Sequence, residues 1–168
     1  MLDLDALFET FERTAFRLET HGGDAGPGAA GSFASFLSGR PFDLAWHQPW
    51  LEATRRVVDS GRTIQRVRVT DDPPTPRQYF ELVLTPFHVA AGEDVLVAPA
   101  QLGLPALDFW LFDDEWAVTL DFDPAGALVG SEVTAEPAAI AELRRVRDRA
   151  CRAAVPYADY VADHPLPR

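Results

Sequence analysis

The sequence predicts an α/β domain in which helices pack on a mixed five-stranded sheet, with an α+β arrangement as the alternative. Apolar residues recur at three- and four-residue steps in several segments, which is the period of amphipathic helices. Between two of these segments, TIQRVRVT at 63–70 alternates with the period of a half-buried strand, and four further strand-like segments follow. A strand, helix and strand joined at this spacing form a right-handed parallel crossover in nearly all proteins.

The first helix is predicted over residues 4–18, where the apolar stripe runs from Leu4 to Leu18, with a break near Thr14 as the alternative. The glycine-rich segment HGGDAGPGAAG at 21–31 has no periodicity and is predicted as a mobile loop. A short helix follows over 32–39, with Ser32 as its N-cap and Gly39 as its stop.

Two longer helices flank the strand at 63–70. Pro49 suits the first turn of a helix over 49–60, and Gly61 ends it. The second helix is predicted over 76–91, where Pro86 should kink it or split it in two.

The remaining strands are predicted in the segments DVLVAP, LDFWLFD, EWAVTLDFD and ALVGSEVT. Asp113 and Asp114 are assigned to a hairpin turn rather than to paired acid–base catalysis, because neighbours in extended chain point to opposite faces. Pro137 opens a last helix that reaches about residue 154. Its arginines are expected to be solvated or paired within the chain, with a docking strip for an acidic partner as the alternative.

The length of 168 residues and the hydrophobic content of 47% fit a single domain over residues 1–168. We expect a helical extension at 1–48, an α/β core at 49–155 and a C-terminal tail at 156–168.

The charge balance excludes several classes of function. The formal net charge is −11, so direct nucleic-acid binding is not expected. The 15 basic residues are all arginine, which excludes lysine nucleophiles and Schiff bases. No apolar run approaches the length of a membrane span, the N-terminus is acidic, and Cys151 is the single cysteine, so a cytoplasmic protein is expected.

No motif in the chain points to a cofactor, a metal ion or a catalytic residue. The four histidines have no metal-ligand spacing, and His47, beside two tryptophans, is interpreted as a packed residue. The glycine-rich nucleotide motifs and the nucleophile elbow are absent from the sequence.

The most unusual residues are charges inside apolar runs. Such charges form a closed ion-pair network or line a polar pocket, and the pattern favours the network. Arg66 and Arg68 share one face of their strand, and the carboxylates of Glu19 and Glu81 are the expected partners. The candidate binding residues are Arg17, Glu19, Arg66, Arg68, Tyr79, Glu81, Asp108 and Trp110.

The segments FERTAFRLE, RVRV, YFELVLTPFHVAAGE, DFWLFD and RDRACRAAVPY together resemble a domain family of high-GC Gram-positive bacteria. The resemblance covers almost all of the chain except the glycine-rich loop. Genes of this family commonly lie beside helix-turn-helix regulators, which implies a regulatory context and no particular reaction.

Residues 50–154 are similar in element order to one half of a phospholipase-D-like domain. Active members of that family carry a His-x-Lys pair just before the strand that corresponds to DFWLFDD. Ala106, Leu107 and Asp108 stand there in this chain, so the resemblance implies the fold and argues against the activity.

We therefore expect a non-catalytic regulatory or protein-interaction domain that is a partner of a transcription regulator, associates with itself or senses a small ligand. One alternative is an enzyme of unrecognised type that uses Arg17, Glu19, Arg68, Tyr79 and Glu81. An antitoxin or immunity partner fits the small acidic chain equally well.

Overall fold

The computed structural model describes residues 3–21 and 28–166, and all statements of structure refer to these residues. The helices are α1 (Leu4–Thr10), α2 (Ala29–Leu37), α3 (Gln48–Asp59), α4 (Pro76–Ala90), α5 (Pro137–Ala153) and α6 (Tyr157–Asp163). The strands are β1 (Thr14–Glu19), β2 (Thr63–Thr70), β3 (Asp94–Pro99), β4 (Asp108–Phe112), β5 (Trp116–Phe122), β6 (Leu128–Thr134) and β7 (Val155–Pro156). Two short 3-10 turns lie at Ala45–His47 and Ala100–Leu102.

The strands form one mixed sheet in the order β6-β5-β4-β1-β2-β3-β7. Strands β1, β2 and β3 are parallel, and the other neighbours are antiparallel. The predicted mixed α/β architecture is confirmed, and β2 to β6 lie where the sequence predicts strands. The described residues contain seven strands rather than five, because β1 and β7 were not expected.

Strand β1 is the main correction to the sequence prediction. The first helix ends at Thr10 instead of residue 18, and the segment predicted as a helical extension supplies a central strand of the sheet. The Asp113 carboxylate accepts hydrogen bonds from the backbone N–H groups of Glu12, Arg13 and Thr14 at 2.7, 2.8 and 2.8 Å. These long-range contacts and the pairing with β2 and β4 favour strand over helix, and a local period cannot reveal them.

The predicted turn between β4 and β5 is confirmed. Asp113 and Asp114 are the central residues of the turn that the hydrogen bond from Glu115 N–H to the Phe112 carbonyl closes, and their φ angles of 54° and 62° are positive, as a type I′ turn requires. Asp114 also pairs with Arg144 and Arg147 of α5, so part of the basic face of that helix is paired within the chain.

Helix α2 begins earlier than predicted. Its N-cap is Gly28 rather than Ser32, and Ser32 lies inside the helix, where its hydroxyl donates to the carbonyl of Asp43 at 2.8 Å. Most of the predicted loop at 21–31, residues 22–27, lies outside the described residues.

Pro86 does not split α4, which is continuous from Pro76 to Ala90. Proline has no N–H to donate to the carbonyl four residues earlier, at Leu82. The Tyr157 hydroxyl donates to that carbonyl at 3.0 Å and replaces the lost bond. Tyr157 begins α6, so the predicted C-terminal tail at 156–168 contains a helix that packs against the domain.

Alternate residues of the strands divide the sheet into two faces. One face is apolar and packs under α5. The buried residues of this face are Phe16, Leu18, Val67, Ala98, Phe109, Leu111 and Ala117, and α5 contributes Ile140, Leu143, Val146 and Ala150. The other face is packed by α1, α3 and α4 and carries the buried charges beside a second apolar cluster, to which α1 contributes Leu7.

Candidate functional site

The charged residues lie together because of the strand register. Arg17 of β1 stands opposite Arg66 of β2, and Glu19 stands opposite Arg68 in the parallel pair. Trp110 of β4 stands opposite Arg17 on the other side. Since alternate residues share a face, the register places three guanidinium groups and one carboxylate on the same side of the sheet.

Glu19 is the centre of this cluster. Its two carboxylate oxygens accept from Nη1 of Arg66 and Nη1 of Arg68, and Arg17 Nε lies 3.9 Å away. Burial alone would raise the pKa of Glu19, but the charges of Arg66, Arg68 and Arg17 outweigh it and lower the pKa to about 2. Glu19 is therefore ionised at neutral pH.

Glu93 joins Arg66 to a pair of histidines. Its carboxylate accepts from Arg66 Nε at 2.6 Å and lies 2.7 Å from His88 Nδ1. His88 Nε2 lies 2.9 Å from His47 Nε2. Burial would raise the pKa of Glu93, but the charges and hydrogen bonds of Arg66 and His88 outweigh it and lower the pKa. Burial and the neighbouring positive charges lower the pKa of His47 to about 3.

The proton arrangement of the histidines follows from these bonds. An ionised Glu93 accepts, so neutral His88 donates from Nδ1 and keeps a lone pair on Nε2. His47 must then donate from Nε2 to His88, which leaves Nδ1 of His47 as an acceptor.

Arg17 is held by Asp108, whose side chain is fully buried. The two form an ion pair at 2.9 Å, and Asp108 also accepts from the backbone N–H and the hydroxyl of Thr20 at 2.7 and 2.8 Å. Arg17 also donates to the carbonyl of Leu18 at 2.5 Å. This end of the cluster is closed.

Arg68 is the member of the cluster whose hydrogen bonds are incomplete. Its Nη1 donates to Glu19 and, at 2.9 Å, to Glu81. Nε and Nη2 are buried and have no hydrogen-bond partner among the described residues. These two nitrogens form the side edge of the guanidinium, the parallel fork that binds both oxygens of a carboxylate or phosphate.

A cavity of about 310 Å³ adjoins the cluster. This volume lies at the lower end of the range for small-molecule sites, about 300–1,000 Å³. Its polar wall includes Arg17, Glu19, Arg66, Arg68, Glu81, His47 and His88. Its apolar wall includes Leu4, Phe8, Trp46, Trp50, Trp110, Leu120, Phe122 and Leu128. The cavity therefore combines aromatic rings with fixed charges, as ligand sites commonly do.

Trp110 joins the two walls. The guanidinium carbons of Arg17 and Arg66 lie 5.9 and 5.5 Å from its ring centroid, within range of cation–π attraction. Phe8 packs edge-on against Trp110 and Trp50 at centroid distances of 4.6 and 5.0 Å. Trp50 Nε1 is a further buried donor with no hydrogen-bond partner among the described residues.

The structure brings together seven of the eight candidate residues from the sequence. Tyr79 does not join them and is absent from the lining of the cavity. It is two residues from Glu81 on α4, a step that turns a helical side chain to another side.

Sequence reasoning did not place His88, Glu93 and the aromatic residues Phe8, Trp46 and Trp50 in the site. Glu93 follows Gly92, whose φ of 100° ends α4 and turns the chain. The sequence did carry one signal for Glu93, namely a charged residue between the glycine that ends a helix and a buried strand. His47, interpreted as a packed residue, is buried and also borders the cavity.

Residues 3–21 and 28–166 contain no group of three or more side chains arranged to hold a metal ion. Over the same residues, no helix combines the length and apolar character needed to cross a membrane.

A protein-family model described as "Domain of unknown function (DUF6879)" matches residues 2–162 of the chain. None of the curated proteins matches it.

Proposed function

This chain belongs to the DUF6879 family, and we propose that it is a non-catalytic domain that binds a small ligand and acts as a sensor. The ligand occupies the cavity between the charged face of the sheet and α1, α3 and α4.

The observation that carries this proposal is the unpaired edge of Arg68, a residue that borders the cavity. Burying an N–H group without a partner costs about 1–3 kcal/mol, and more when the group is charged. Two such groups on one guanidinium, beside a cavity with aromatic walls, support a binding role better than a purely structural one.

A thermal-shift screen of small metabolites tests the proposal, because a ligand that binds only the folded state raises the unfolding temperature. Leu128 borders the cavity from the exposed strand β6, whereas its neighbour Val129 does not. Leu128→Trp should narrow the cavity and abolish the shift, and Val129→Trp is the matched control.

Two results would contradict the proposal. One is a screen of broad chemistry in which no compound raises the unfolding temperature. The other is a hit that stabilises Leu128→Trp as strongly as Val129→Trp, which would place the ligand elsewhere.

The histidine chain favours a second candidate, an enzyme that uses His47 as a base. The alignment Glu93–His88–His47 resembles the carboxylate–imidazole pairs that orient catalytic bases. The pKa of His47, lowered to about 3, makes it a weak base at neutral pH, so we favour binding over catalysis. Mass spectrometry of the screened compounds after incubation separates the two, since an enzyme consumes its ligand and a sensor does not.

We propose that the sensor acts by binding a protein partner. The resemblance to a family encoded beside helix-turn-helix regulators suggests a cytoplasmic regulator as that partner, and an antitoxin or immunity role is the alternative. Pull-down from native cells, with and without the ligand, identifies the partner.

The phospholipase-D-like topology is likewise a proposal, and without lysine we expect no phosphodiesterase activity.

A further inference from the structure

We propose that the ligand is a small planar carboxylate, bound through both oxygens by the Nε–Nη2 edge of Arg68 and through its ring by the tryptophans. This inference rests on the proposed function and names the chemistry of the ligand.

The unpaired polar groups of residues that border the cavity indicate the polarity of the ligand. Arg68 contributes two buried N–H groups and Trp50 contributes one, and none of them has a partner among the described residues. Guanidinium and indole nitrogens donate hydrogen bonds and do not accept them. The ligand must therefore supply acceptors.

The charge of the cluster limits the charge that the ligand can carry. Arg17, Arg66 and Arg68 face the carboxyl groups of Glu19, Glu81, Glu93 and Asp108, so the formal charge is −1 when all four carboxyl groups are ionised. Burial is the largest influence on Glu81 and raises its pKa, which favours protonation of this carboxyl when a second carboxylate approaches Arg68. A monoanion therefore fits the site better than a doubly charged phosphate.

The aromatic wall of the cavity indicates that the part of the ligand beyond the carboxylate is a planar ring. Trp46, Trp50 and Trp110 border the same cavity as Arg68, so a ligand held by its carboxylate lies within reach of ring faces and edges. Ring stacking and a bidentate carboxylate together restrict the orientation of a planar acid. A cavity of about 310 Å³ limits the ligand to a small molecule.

Three probes of similar shape test which ligand charge the cavity prefers. They are benzoate, benzamide and benzamidinium, which are anionic, neutral and cationic. Tryptophan fluorescence reports binding, because three of the four tryptophans border the cavity and the fourth, Trp116, lies in β5 outside it. We expect benzoate to bind at least about tenfold more tightly than benzamide, the usual advantage of a charged over a neutral hydrogen bond. Benzamidinium should bind most weakly.

Arg68→Lys keeps the positive charge but lacks the fork, so it should weaken benzoate binding and reduce the preference for benzoate over benzamide. The probe series on the natural protein does not depend on this variant, so the inference remains testable if Arg68→Lys fails to fold.

Several outcomes would overturn the inference and leave the proposed function intact. Benzamidinium binding best would indicate a cation in an aromatic cage. Equal binding of benzoate and benzamide would mean that the Arg68 edge is filled by water, as the pocket of about 10 Å³ beside Gln78 and Thr70 would allow. No benzoate binding, with a neutral or cationic hit from the metabolite screen, would overturn it as well. A screen without any hit would instead contradict the proposed function itself.

Discussion

The two faces of the central sheet are built from alternate residues of the same strands but are stabilised in different ways. Under α5, residues such as Phe109 and Leu111 pack without any charged partner. The opposite face has an apolar cluster as well, but its buried charges, such as Arg66 and Glu93, depend on specific hydrogen bonds. Apolar packing tolerates a change of shape at constant volume, whereas a buried ion pair does not tolerate the loss of one charge. The charged face therefore tolerates fewer substitutions than the apolar face. It is also the face that borders the cavity.

The largest expected effect is the loss of a charge from the charged face. Glu93→Gln preserves the side-chain shape but leaves Arg66 with one ionised partner and weakens the bond to His88. We expect a loss of about 3–5 kcal/mol in the free energy of unfolding, measured by urea denaturation.

Leu111→Met is the matched change on the apolar face and should cost less than about 1.5 kcal/mol. Leu111 is as buried as Glu93. If the two variants lost the same stability, the distinction between the faces would be wrong.

Lowering the pH should also destabilise the folded protein through groups on the charged face. In unfolded chain a histidine has a pKa of 6.5, but burial and nearby positive charges lower that of His47 to about 3 in the folded protein. Between these values the unfolded state binds more protons, so stability falls as the pH falls below about 6.5. Burial also lowers the pKa of His88, which acts in the same direction.

Below a pH of about 4.5 the carboxylates add to this loss. The folded pKa of Glu19 is about 2 against 4.5 in unfolded chain, so its stabilising contribution disappears as the pH falls through that window. Glu81, whose pKa burial raises, opposes the trend.

Urea midpoints at pH 7.5, 5.5 and 4 measure the acid effect. His47→Gln should reduce the loss between pH 7.5 and 5.5, because one group that takes up a proton only in unfolded chain is removed. A constant midpoint from pH 7.5 to 5.5 in the natural protein would show that the histidines titrate normally.

The smallest expected effect concerns a neutral hydrogen bond. Tyr157→Phe removes the donor to the Leu82 carbonyl, which Pro86 leaves without its helical partner. The expected loss is about 0.5–1.5 kcal/mol, smaller than for Glu93→Gln because no charge is left unpaired. Tyr160→Phe makes the same change on α6 and should be nearly neutral, since the Tyr160 hydroxyl has no hydrogen bond among the described residues. Equal losses for the two variants, in thermal melts, would contradict this role of Tyr157.

The sequence by itself determined the elements whose evidence is local. Strands β2 to β6 and helices α3, α4 and α5 were predicted from period and from proline and glycine positions, since these act within a few residues. Arg66 and Arg68 could be assigned to one face because side chains alternate along any strand. The glycine-rich segment at 22–27 lies outside the described residues, so its predicted mobility stays a prediction.

Only the tertiary structure decided the rest, because the deciding contacts join residues far apart in the chain. Residues 14–19 satisfy a helical period, and pairing with β2 and β4 makes them a strand. That strand brings Glu19 to Arg66, 47 positions later, and α4 brings Glu81 to Arg68. The unpaired edge of Arg68 follows from where those two carboxylates bind, and no local pattern specifies which nitrogen of a guanidinium remains unpaired. The sequence therefore supplied the charged residues, while strand register and helix packing determined which of them are paired and which face the cavity.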